Sequence, residues 1–387
     1  MACRSCEPPE MLELLSNLMP TAVRHIAGIP GANGLSSAAT GEQVLRDRNL
    51  QGQVVIVTGA AGSLGRELTK VLCARGAHVI AVCRAQAQAE SLSRDLDPTH
   101  NAHSHEAPRT TTSEGAFETP TTSSAASLPA GKVTPMQCDM SSLASVRAFA
   151  KSFLQTGLPL HALVNNAAVM SCGFMRSIDG HELQFSVNHL AHHLLSNLLL
   201  DVLVATARAA GEGADGRIVN VTCSLHYFTY RDYGMIKSCG IRLDRLDSEV
   251  GYTRWSALGQ SKLANILHAL ELGKRCKEQS LPITVVAANP GLFGTTAVQK
   301  AGGWVAGAAR FLASHWTGQP FLKTVQQAAS TPLYCATSPD VRGFTGYYMS
   351  DCQPSTPSQL ACDHGLASRL WEQSELMIAE QLKQSQA

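Results

Sequence analysis

The chain has 387 residues, of which 44% are hydrophobic, and its formal net charge is +1. This composition excludes a mainly disordered chain and argues against charge-driven binding to nucleic acid or acidic lipid. Twelve cysteines are scattered without a regular framework, so we interpret them as reduced thiols. Cys3 and Cys6 form a single CxxC without a second pair nearby, and no metal site is expected.

The chain carries no clear targeting signal. The first 30 residues lack a basic start followed by an apolar run, so no secretory signal is expected. The most apolar stretch, 194–205, is interrupted by polar residues, which predicts a buried helix and no transmembrane span. We therefore predict a cytoplasmic protein. An organelle such as a plastid or mitochondrion is the alternative, because 11–19 has the pattern of a short amphipathic helix.

Residues 1–50 are interpreted as a partly disordered N-terminal extension, with a linker rich in Gly, Ser and Ala at 29–40. From residue 51 onwards, apolar runs rich in β-branched residues alternate with helical patterns. This alternation predicts an α/β fold, a single Rossmann-type doubly wound parallel sheet with helices on both faces. The predicted strands are 53–58, 77–83, 133–137, 162–165, 217–221 and 283–288.

The segment 98–131 interrupts the alternation within a domain that we place at 51–387. It is crowded with Thr, Ser, Pro, Ala and His and joins a helical pattern to a strand pattern. A polar connection of this length is typical of disordered segments. We predict a surface insertion without a catalytic part, and the alternative is a docking or modification segment.

A glycine-rich turn follows the first predicted strand and leads directly into a helical pattern. It reads Thr58-Gly59-Ala60-Ala61-Gly62-Ser63-Leu64-Gly65. Glycines here let the backbone turn tightly and approach a pyrophosphate, and the helix N-terminus offers free N–H groups to the phosphates. Since a strand precedes the motif and a helix follows it, the turn predicts a dinucleotide site.

Arg84 comes directly after the second predicted strand. In Rossmann domains that prefer NAD, an acidic residue near this place binds the ribose hydroxyls. A guanidinium group pairs well with a phosphate instead, so Arg84 favours NADP(H) as the cofactor. The alternative is an exposed, solvated arginine.

With these motifs the chain resembles the short-chain dehydrogenase/reductase family, in its retinol-dehydrogenase-like and WW-domain-oxidoreductase-like subgroup, over roughly residues 48–380. The turn has the spacing TGxxGxxG where this branch usually has TGxxxGxG. Three further motifs carry the resemblance: Cys138-Asp139-Met140, Asn165-Asn166-Ala167-Ala168, and Asn289-Pro290-Gly291 with Thr295. The cofactor contacts predicted in this way are Gly59, Gly62, Ser63, Leu64, Gly65, Arg84, Asp139, Asn165, Ala167, Lys262, Pro290, Gly291 and Thr295.

The resemblance implies hydride transfer between a nicotinamide and a carbonyl or alcohol, with a tyrosine as general acid and base. The family also uses a lysine four residues later, a serine that holds the substrate oxygen and an asparagine in a proton relay. Lys262 and Asn188 match this pattern. Leu258 stands at the tyrosine position and Cys223 at the serine position, with Ser224 as a neighbouring hydroxyl.

Leucine cannot transfer a proton, so activity at full rate would need a substitute acid. The candidates are Tyr227, Tyr230, Tyr233 and Tyr252. Without one of them, carbonyl reduction is expected to fall by about 10²–10⁴-fold. Lys262 then has only its second family role, a contact with the cofactor ribose, and Cys223 is interpreted as a small buried residue.

The remaining features concern substrate and partners. The apolar, glycine-containing stretch at 302–312 predicts a lid over a lipophilic substrate, or a segment that packs on its own protein. His189, His192 and His193 recur at helical spacing and are interpreted as packing residues, on a helix through which family members often form homodimers. The resemblance places a final strand at 344–348, and 366–383 is predicted to be a terminal helix.

Two functions therefore stay open. The first is an NADP(H)-dependent oxidoreductase for a lipophilic carbonyl or alcohol. The second is a catalytically weakened relative that binds NADP(H) and acts as a sensor or scaffold, which Leu258 and Cys223 favour.

Overall fold

A computed structural model describes residues 30–31, 33–96, 131–170, 172–231, 238–293 and 323–384. Several predicted features lie outside these ranges: the amphipathic stretch at 11–19, nearly all of the insertion at 98–131, the lid at 302–312, Tyr233 and Thr295.

An eight-stranded sheet forms the centre of the described structure. Its strands are β1 (Val54–Thr58), β2 (His78–Cys83), β3 (Lys132–Gln137), β4 (Ala162–Asn165), β5 (Gly216–Val221), β8 (Ile283–Asn289), β9 (Tyr348–Ser350) and β10 (Gln353–Pro354). A separate two-stranded hairpin consists of β6 (Tyr230–Arg231) and β7 (Ser238–Gly240). The order across the sheet is β10-β9-β8-β5-β4-β1-β2-β3, and every pairing is parallel except that between β9 and β10. The predicted parallel sheet is confirmed.

Helices cover both faces of this sheet. They are α1 (Gly41–Val44), α2 (Ser63–Ala74), α3 (Gln86–Leu96), α4 (Leu143–Gln155), α5 (Leu183–Ala209), α6 (Arg254–Glu278), α7 (Val325–Ala328), α8 (Ser330–Thr337) and α9 (His364–Gln384). One buried apolar cluster joins the sheet to α4, α5, α6 and α9, and a second joins it to α2, α3 and α8. Because β1, β4, β5 and β8 are buried on both faces, their sequences are mainly apolar runs without a strict polar alternation.

Two parts of the sequence prediction differ from the structure. The final strand was predicted at 344–348, but β9 begins only at Tyr348, because Gly346 adopts a φ of 86° in the turn before it. Residues 33–50, assigned to the extension, include α1 and contact the domain directly. Leu45 and Leu50 are fully buried there, and Asn33 Nδ2 donates to the carbonyl of Cys352 at 2.6 Å.

α5 is the one helix in the described ranges with the length and hydropathy of a membrane span, at a mean hydropathy of 1.4. Two-thirds of that apolar window (67%) is buried inside the protein, which is typical of a core helix. A π-helical turn, Ser186–Leu190, interrupts its first part. The prediction of a buried helix at 194–205 agrees with this packing.

The histidines of α5 contact residues of the same chain. His189 Nε2 lies 2.9 Å from Ser374 Oγ, and His193 Nε2 lies 2.6 Å from Glu375 Oε1, both on α9. His192 lies within hydrogen-bonding distance of Thr58 on β1. Among the described residues no group of three or more His, Cys, Asp or Glu residues could hold a metal ion. The homodimer stays a prediction.

Buried histidines make the stability of this fold depend on pH. Burial lowers the pKa of His226 from 6.5 to about 4, and the hydrogen bond between its Nδ1 and the Cys223 carbonyl opposes this shift only in part. The unfolded chain takes up this proton below pH 6.5 and the folded chain does not. We therefore expect His226 to lower the free energy of unfolding by about 3 kcal/mol as the pH falls from 6.5 to 4.

Urea unfolding at a series of pH values checks this expectation. A His226→Gln variant should unfold with a shallower pH dependence over that range than the wild-type chain. The exposed His364, replaced in the same way, provides the comparison variant. Identical slopes for the wild-type chain and His226→Gln would contradict the assignment.

Candidate active site

A cleft of about 670 Å³ lies at the carboxyl ends of the parallel strands. It is centred where the strand order reverses, between β1 and β4. Open α/β sheets bind their ligands at this point. The predicted cofactor residues that line the cleft are Gly59, Gly62, Ser63, Leu64, Gly65, Arg84, Asp139, Ala167, Lys262 and Pro290.

The glycine turn between β1 and α2 is packed too closely for side chains. Gly59 has a φ of 65°, and a Cβ there would lie 2.8 Å from Cα of Ala167. A Cβ on Gly65 would overlap the carbonyl oxygen of Gly59. Gly62 caps α2 without a side-chain hydrogen bond, so the first N–H groups of the helix face the cleft without a capping side chain. This cradle fits a pyrophosphate.

Asn166 fastens the turn to the neighbouring strand. Its backbone N–H donates to Thr58 Oγ1 at 2.9 Å, and its Nδ2 donates to the Thr58 carbonyl at 2.8 Å. Asn165, the residue selected from the sequence, does not line the cleft. Its Nδ2 donates to Ser196 and Asn220 at 3.0 and 2.9 Å in the core. The signal that could have found Asn166 is its place one residue beyond the end of β4.

One end of the cleft carries groups suited to an adenosine phosphate. Arg84 is exposed at the end of β2 and lines the cleft. Asp139 follows β3, and its Oδ1 accepts hydrogen bonds from the N–H and the hydroxyl of Ser141 at 2.9 and 2.8 Å. These bonds fix the carboxylate and the turn beside it at the cleft wall.

Lys262 and Cys223 lie together at the other end of the cleft. The Lys262 side chain is buried, and its Nζ donates to the Val221 carbonyl at 3.2 Å. Burial lowers the pKa of the Lys262 ammonium, and the nearby Cys223 opposes this effect. Burial raises the pKa of the Cys223 thiol, while the charge of Lys262 acts in the other direction. Cys223 is therefore held as a thiol rather than a thiolate.

Asn188 lies in the π-helical turn of α5 and is fully buried. Its Oδ1 accepts from the Val169 N–H at 2.8 Å, and its Nδ2 donates to the Val169 carbonyl and to Ser261 Oγ, both at 2.9 Å. It does not line the cleft itself, but Val169 does. Asn188 thus ties one wall of the cleft to α6.

Leu258 is fully buried one helical turn before Lys262 and does not line the cleft. The adjacent Gly259 packs so closely against Phe228 that a Cβ there would overlap its carbonyl oxygen. Ser224 also lies outside the cleft lining, and its Oγ accepts from Asn289 Nδ2 at 3.3 Å. Neither residue brings a hydroxyl to Lys262 in place of the missing tyrosine.

None of the described tyrosines lines the cleft, and the candidate acids among them contact other parts of the protein. The Tyr252 hydroxyl lies 2.9 Å from Gln184 Nε2 and 3.1 Å from the Cys172 carbonyl. Tyr227 donates to the Thr356 carbonyl at 3.3 Å, and the Tyr230 ring is covered by a guanidinium group at 3.5 Å. Burial raises the pKa of the Tyr252 hydroxyl, which makes it a poorer proton donor.

Tyr348 is a tyrosine that the sequence reasoning did not consider for this role. Its hydroxyl accepts from Asn289 Nδ2 at 2.8 Å, two hydrogen bonds away from Ser224. It is buried, and burial raises the pKa of its hydroxyl. The structure therefore gives it a packing role in β9.

Apolar side chains line the outer parts of the cleft. Pro290 and Phe293 follow β8, while Met175 and Ile178 follow β4 and are 54% and 71% exposed. Gly291, between Pro290 and Phe293, has a φ of 83° and does not itself line the cleft. An exposed apolar rim of this kind suits an apolar ligand.

Comparison with known proteins agrees with this geometry. The KR domain family model matches residues 53–211. The chain is 35% identical to short-chain dehydrogenase TIC 32 B, chloroplastic, of Brassica napus, over 91% of this chain and 97% of the relative. It is 33% identical to human retinol dehydrogenase 14, over 92% and 98%, and 34% identical to human WW domain-containing oxidoreductase, over 89% and 72%.

A solved structure shares the fold. The crystal structure of an uncharacterized protein from Mycobacterium paratuberculosis has a TM-score of 0.59 and 26% sequence identity, and the match covers 86% of this chain and 95% of that one. The resemblance inferred from the motifs, including its subgroup, is confirmed by these relatives. The chain belongs to the short-chain dehydrogenase/reductase family, whose members bind a nicotinamide cofactor.

Proposed function

We propose that this protein is an NADP(H)-dependent oxidoreductase for a lipophilic carbonyl compound or alcohol. The observation that carries the proposal is a single cleft with a phosphate cradle in the middle, Arg84 at one end and Lys262 with Cys223 at the other. Bound NADP(H) supplies or accepts the hydride. The glycine turn holds the pyrophosphate, Arg84 pairs with the 2′-phosphate, and Lys262 contacts the ribose beside the reacting ring.

The lipophilic character of the substrate is supported by the rim of the cleft. Met175 and Ile178 expose apolar surface beside the site, which a polar substrate would leave in contact with water. A relative of similar length is named retinol dehydrogenase 14. We infer an apolar aldehyde, ketone or alcohol of that general kind.

The preference for NADP(H) rests on Arg84 and is tested there. An Arg84→Ala variant is expected to bind NADPH about 10–100-fold more weakly, because it loses a charge-assisted hydrogen bond worth about 1.5–3 kcal/mol. Its affinity for NADH, which lacks the 2′-phosphate, should stay the same. Titration of the intrinsic nicotinamide fluorescence measures both constants.

A matched control is the exposed Arg94 on α3, which does not line the cleft. Arg94→Ala should change neither constant. Equal weakening of NADPH and NADH by Arg84→Ala would instead show that Arg84 supports the fold of the site and does not read the 2′-phosphate.

Leu258 favours a second candidate function, a weakened relative that binds NADP(H) as a sensor or scaffold. No described tyrosine lines the cleft, so within the described ranges a proton for the substrate oxygen would come from water or from the Cys223 thiol. Both are poorer donors than a tyrosine beside a lysine. We therefore expect slow turnover by the wild-type chain together with intact NADPH binding.

The compartment also stays a proposal. A cytoplasmic protein was predicted from the sequence, while the name of the Brassica napus relative supports the plastid alternative. A fluorescent fusion of the full chain would decide between the two.

A further inference from the structure

A buried ion pair stands directly behind the wall of the cleft. Lys323 Nζ lies 2.5 Å from Asp351 Oδ1, and the two side chains are only 4% and 6% exposed. Asp351 lies in the turn between β9 and β10, where its backbone has a φ of 52°. Neither residue lines the cleft, so the cofactor site described above assigns them no role.

Lys323 contacts three successive residues of the segment 290–293, namely Gly291, Leu292 and Phe293. The backbone N–H of Lys323 donates to the Leu292 carbonyl at 2.8 Å, and Lys323 forms a parallel β-bridge with Phe293. Its side chain crosses Gly291 so closely that a Cβ there would lie 2.9 Å from Cδ and 3.0 Å from Cε. Pro290 and Phe293, which flank this contact, both line the cleft.

The ion pair therefore helps to fix the position of the segment 290–293. A buried ammonium is strongly unfavourable without its partner, so the Lys323 side chain stays extended across Gly291 towards Asp351. In that position it packs closely against Gly291, so a shift of the segment towards Lys323 would meet its side chain. Asp351 is in turn fixed at the sheet edge by the pairing of β9 with β8 and β10.

We propose that Lys323 and Asp351 are positioning residues that hold Pro290 and Phe293 against the nicotinamide half of the bound dinucleotide. The proposal rests on the dinucleotide site proposed above and adds to it two residues outside the cleft. The proposal predicts that loss of the ion pair changes the binding of the two halves of the cofactor to different extents. Loss of the ion pair should weaken contacts at the nicotinamide end and leave the adenosine end as it is.

The test compares NADPH with 2′,5′-ADP, which represents only the adenosine half. Asp351→Asn removes the charge, keeps the side-chain shape and tolerates the left-handed backbone. We expect the Kd for NADPH to rise about tenfold and the Kd for 2′,5′-ADP to stay within about twofold of the wild-type value. Lys323→Met should give the same pattern, and calorimetry measures both ligands without turnover.

A second buried ion pair at the opposite end of the sheet provides a matched control. Arg217 Nε lies 2.8 Å from Asp215 Oδ2, with side chains 6% and 9% exposed, away from the cleft. Asp215→Asn should lower the thermal midpoint and change neither Kd. A fall in affinity for both ligands in Asp351→Asn, or no fall for NADPH, would overturn the positioning role.

The two proposals fail in different ways. A wild-type chain that binds neither NADPH nor 2′,5′-ADP would overturn the proposed function together with this inference. A wild-type chain that binds both, with Asp351→Asn and Lys323→Met indistinguishable from it, would overturn the inference alone. If Lys323→Met does not fold, the Asp351→Asn measurements decide.

Discussion

Replacement of Leu258 by tyrosine and of Cys223 by serine in one protein is expected to raise turnover of a lipophilic ketone or aldehyde by about 10²–10⁴-fold. Residue 258 lies one helical turn before Lys262 on α6, the spacing at which two side chains share a helix face. A lysine charge about 4 Å from a tyrosine hydroxyl, at an effective dielectric constant near 20, contributes roughly 4 kcal/mol, or about three pKa units. The tyrosine would then titrate near neutral pH.

The matched control for this gain is Leu258→Phe with Cys223→Ser, which adds the same ring without the hydroxyl. It should bind NADPH as the tyrosine variant does and should show no gain in turnover, because it has no proton to transfer. NADPH consumption against a ketone and aldehyde panel measures the rates. Equal rates for the two double variants would contradict a role for the hydroxyl, and fast wild-type turnover would remove the weakened-relative alternative.

Gly65→Ala is expected to weaken NADPH binding by about 100-fold. The added methyl group would overlap the Gly59 carbonyl oxygen and lie 2.8 Å from Cα of Ala60, so the start of α2 has to move away from β1. A displaced helix N-terminus loses hydrogen bonds to the phosphates, and each hydrogen bond to a charged group is worth about 1.5–3 kcal/mol, or roughly 10–100-fold in affinity. Fluorescence titration of NADPH measures the loss, and the thermal midpoint reports any loss of stability from overpacking.

Gly173 offers a matched control for this change. It is exposed, and a Cβ there would meet nothing within 4 Å. Gly173→Ala should bind NADPH as the wild-type chain does. If Gly65→Ala also bound NADPH with unchanged affinity, the glycine turn would not be the phosphate cradle that we infer.

The fold could be predicted from the sequence because its signals are local. A parallel strand buried on both faces is apolar at most positions, so β1 and β8 stand out without any knowledge of their neighbours. The glycine turn is equally visible, since steric limits allow few other residues there. The short hairpin of β6 and β7 and the start of β9 lack such signals and were missed or misplaced.

The site was less predictable because its details depend on tertiary packing. The motif containing Asn165 and Asn166 could be found, but which amide faces the cleft depends on where β4 ends. The substitutions at Leu258 and Cys223 were visible in the sequence. The sequence could not show whether a tyrosine from elsewhere replaces the missing acid, because the hydrogen-bond partners of Tyr252 and Tyr348 come from distant parts of the chain.

The cleft is assembled from segments spread over more than 200 positions of the chain, from Gly59 to Pro290. No fragment that lacks one of the central strands contains the whole binding surface. Ligand binding is therefore thermodynamically linked to completion of the sheet, and a saturating dinucleotide acts as a stabiliser of the native state. At a free ligand concentration 100 times the Kd, this linkage adds about 2.7 kcal/mol to the free energy of unfolding. The abundance of the protein in a cell would then follow the local dinucleotide pool, whether or not the chain turns over a substrate.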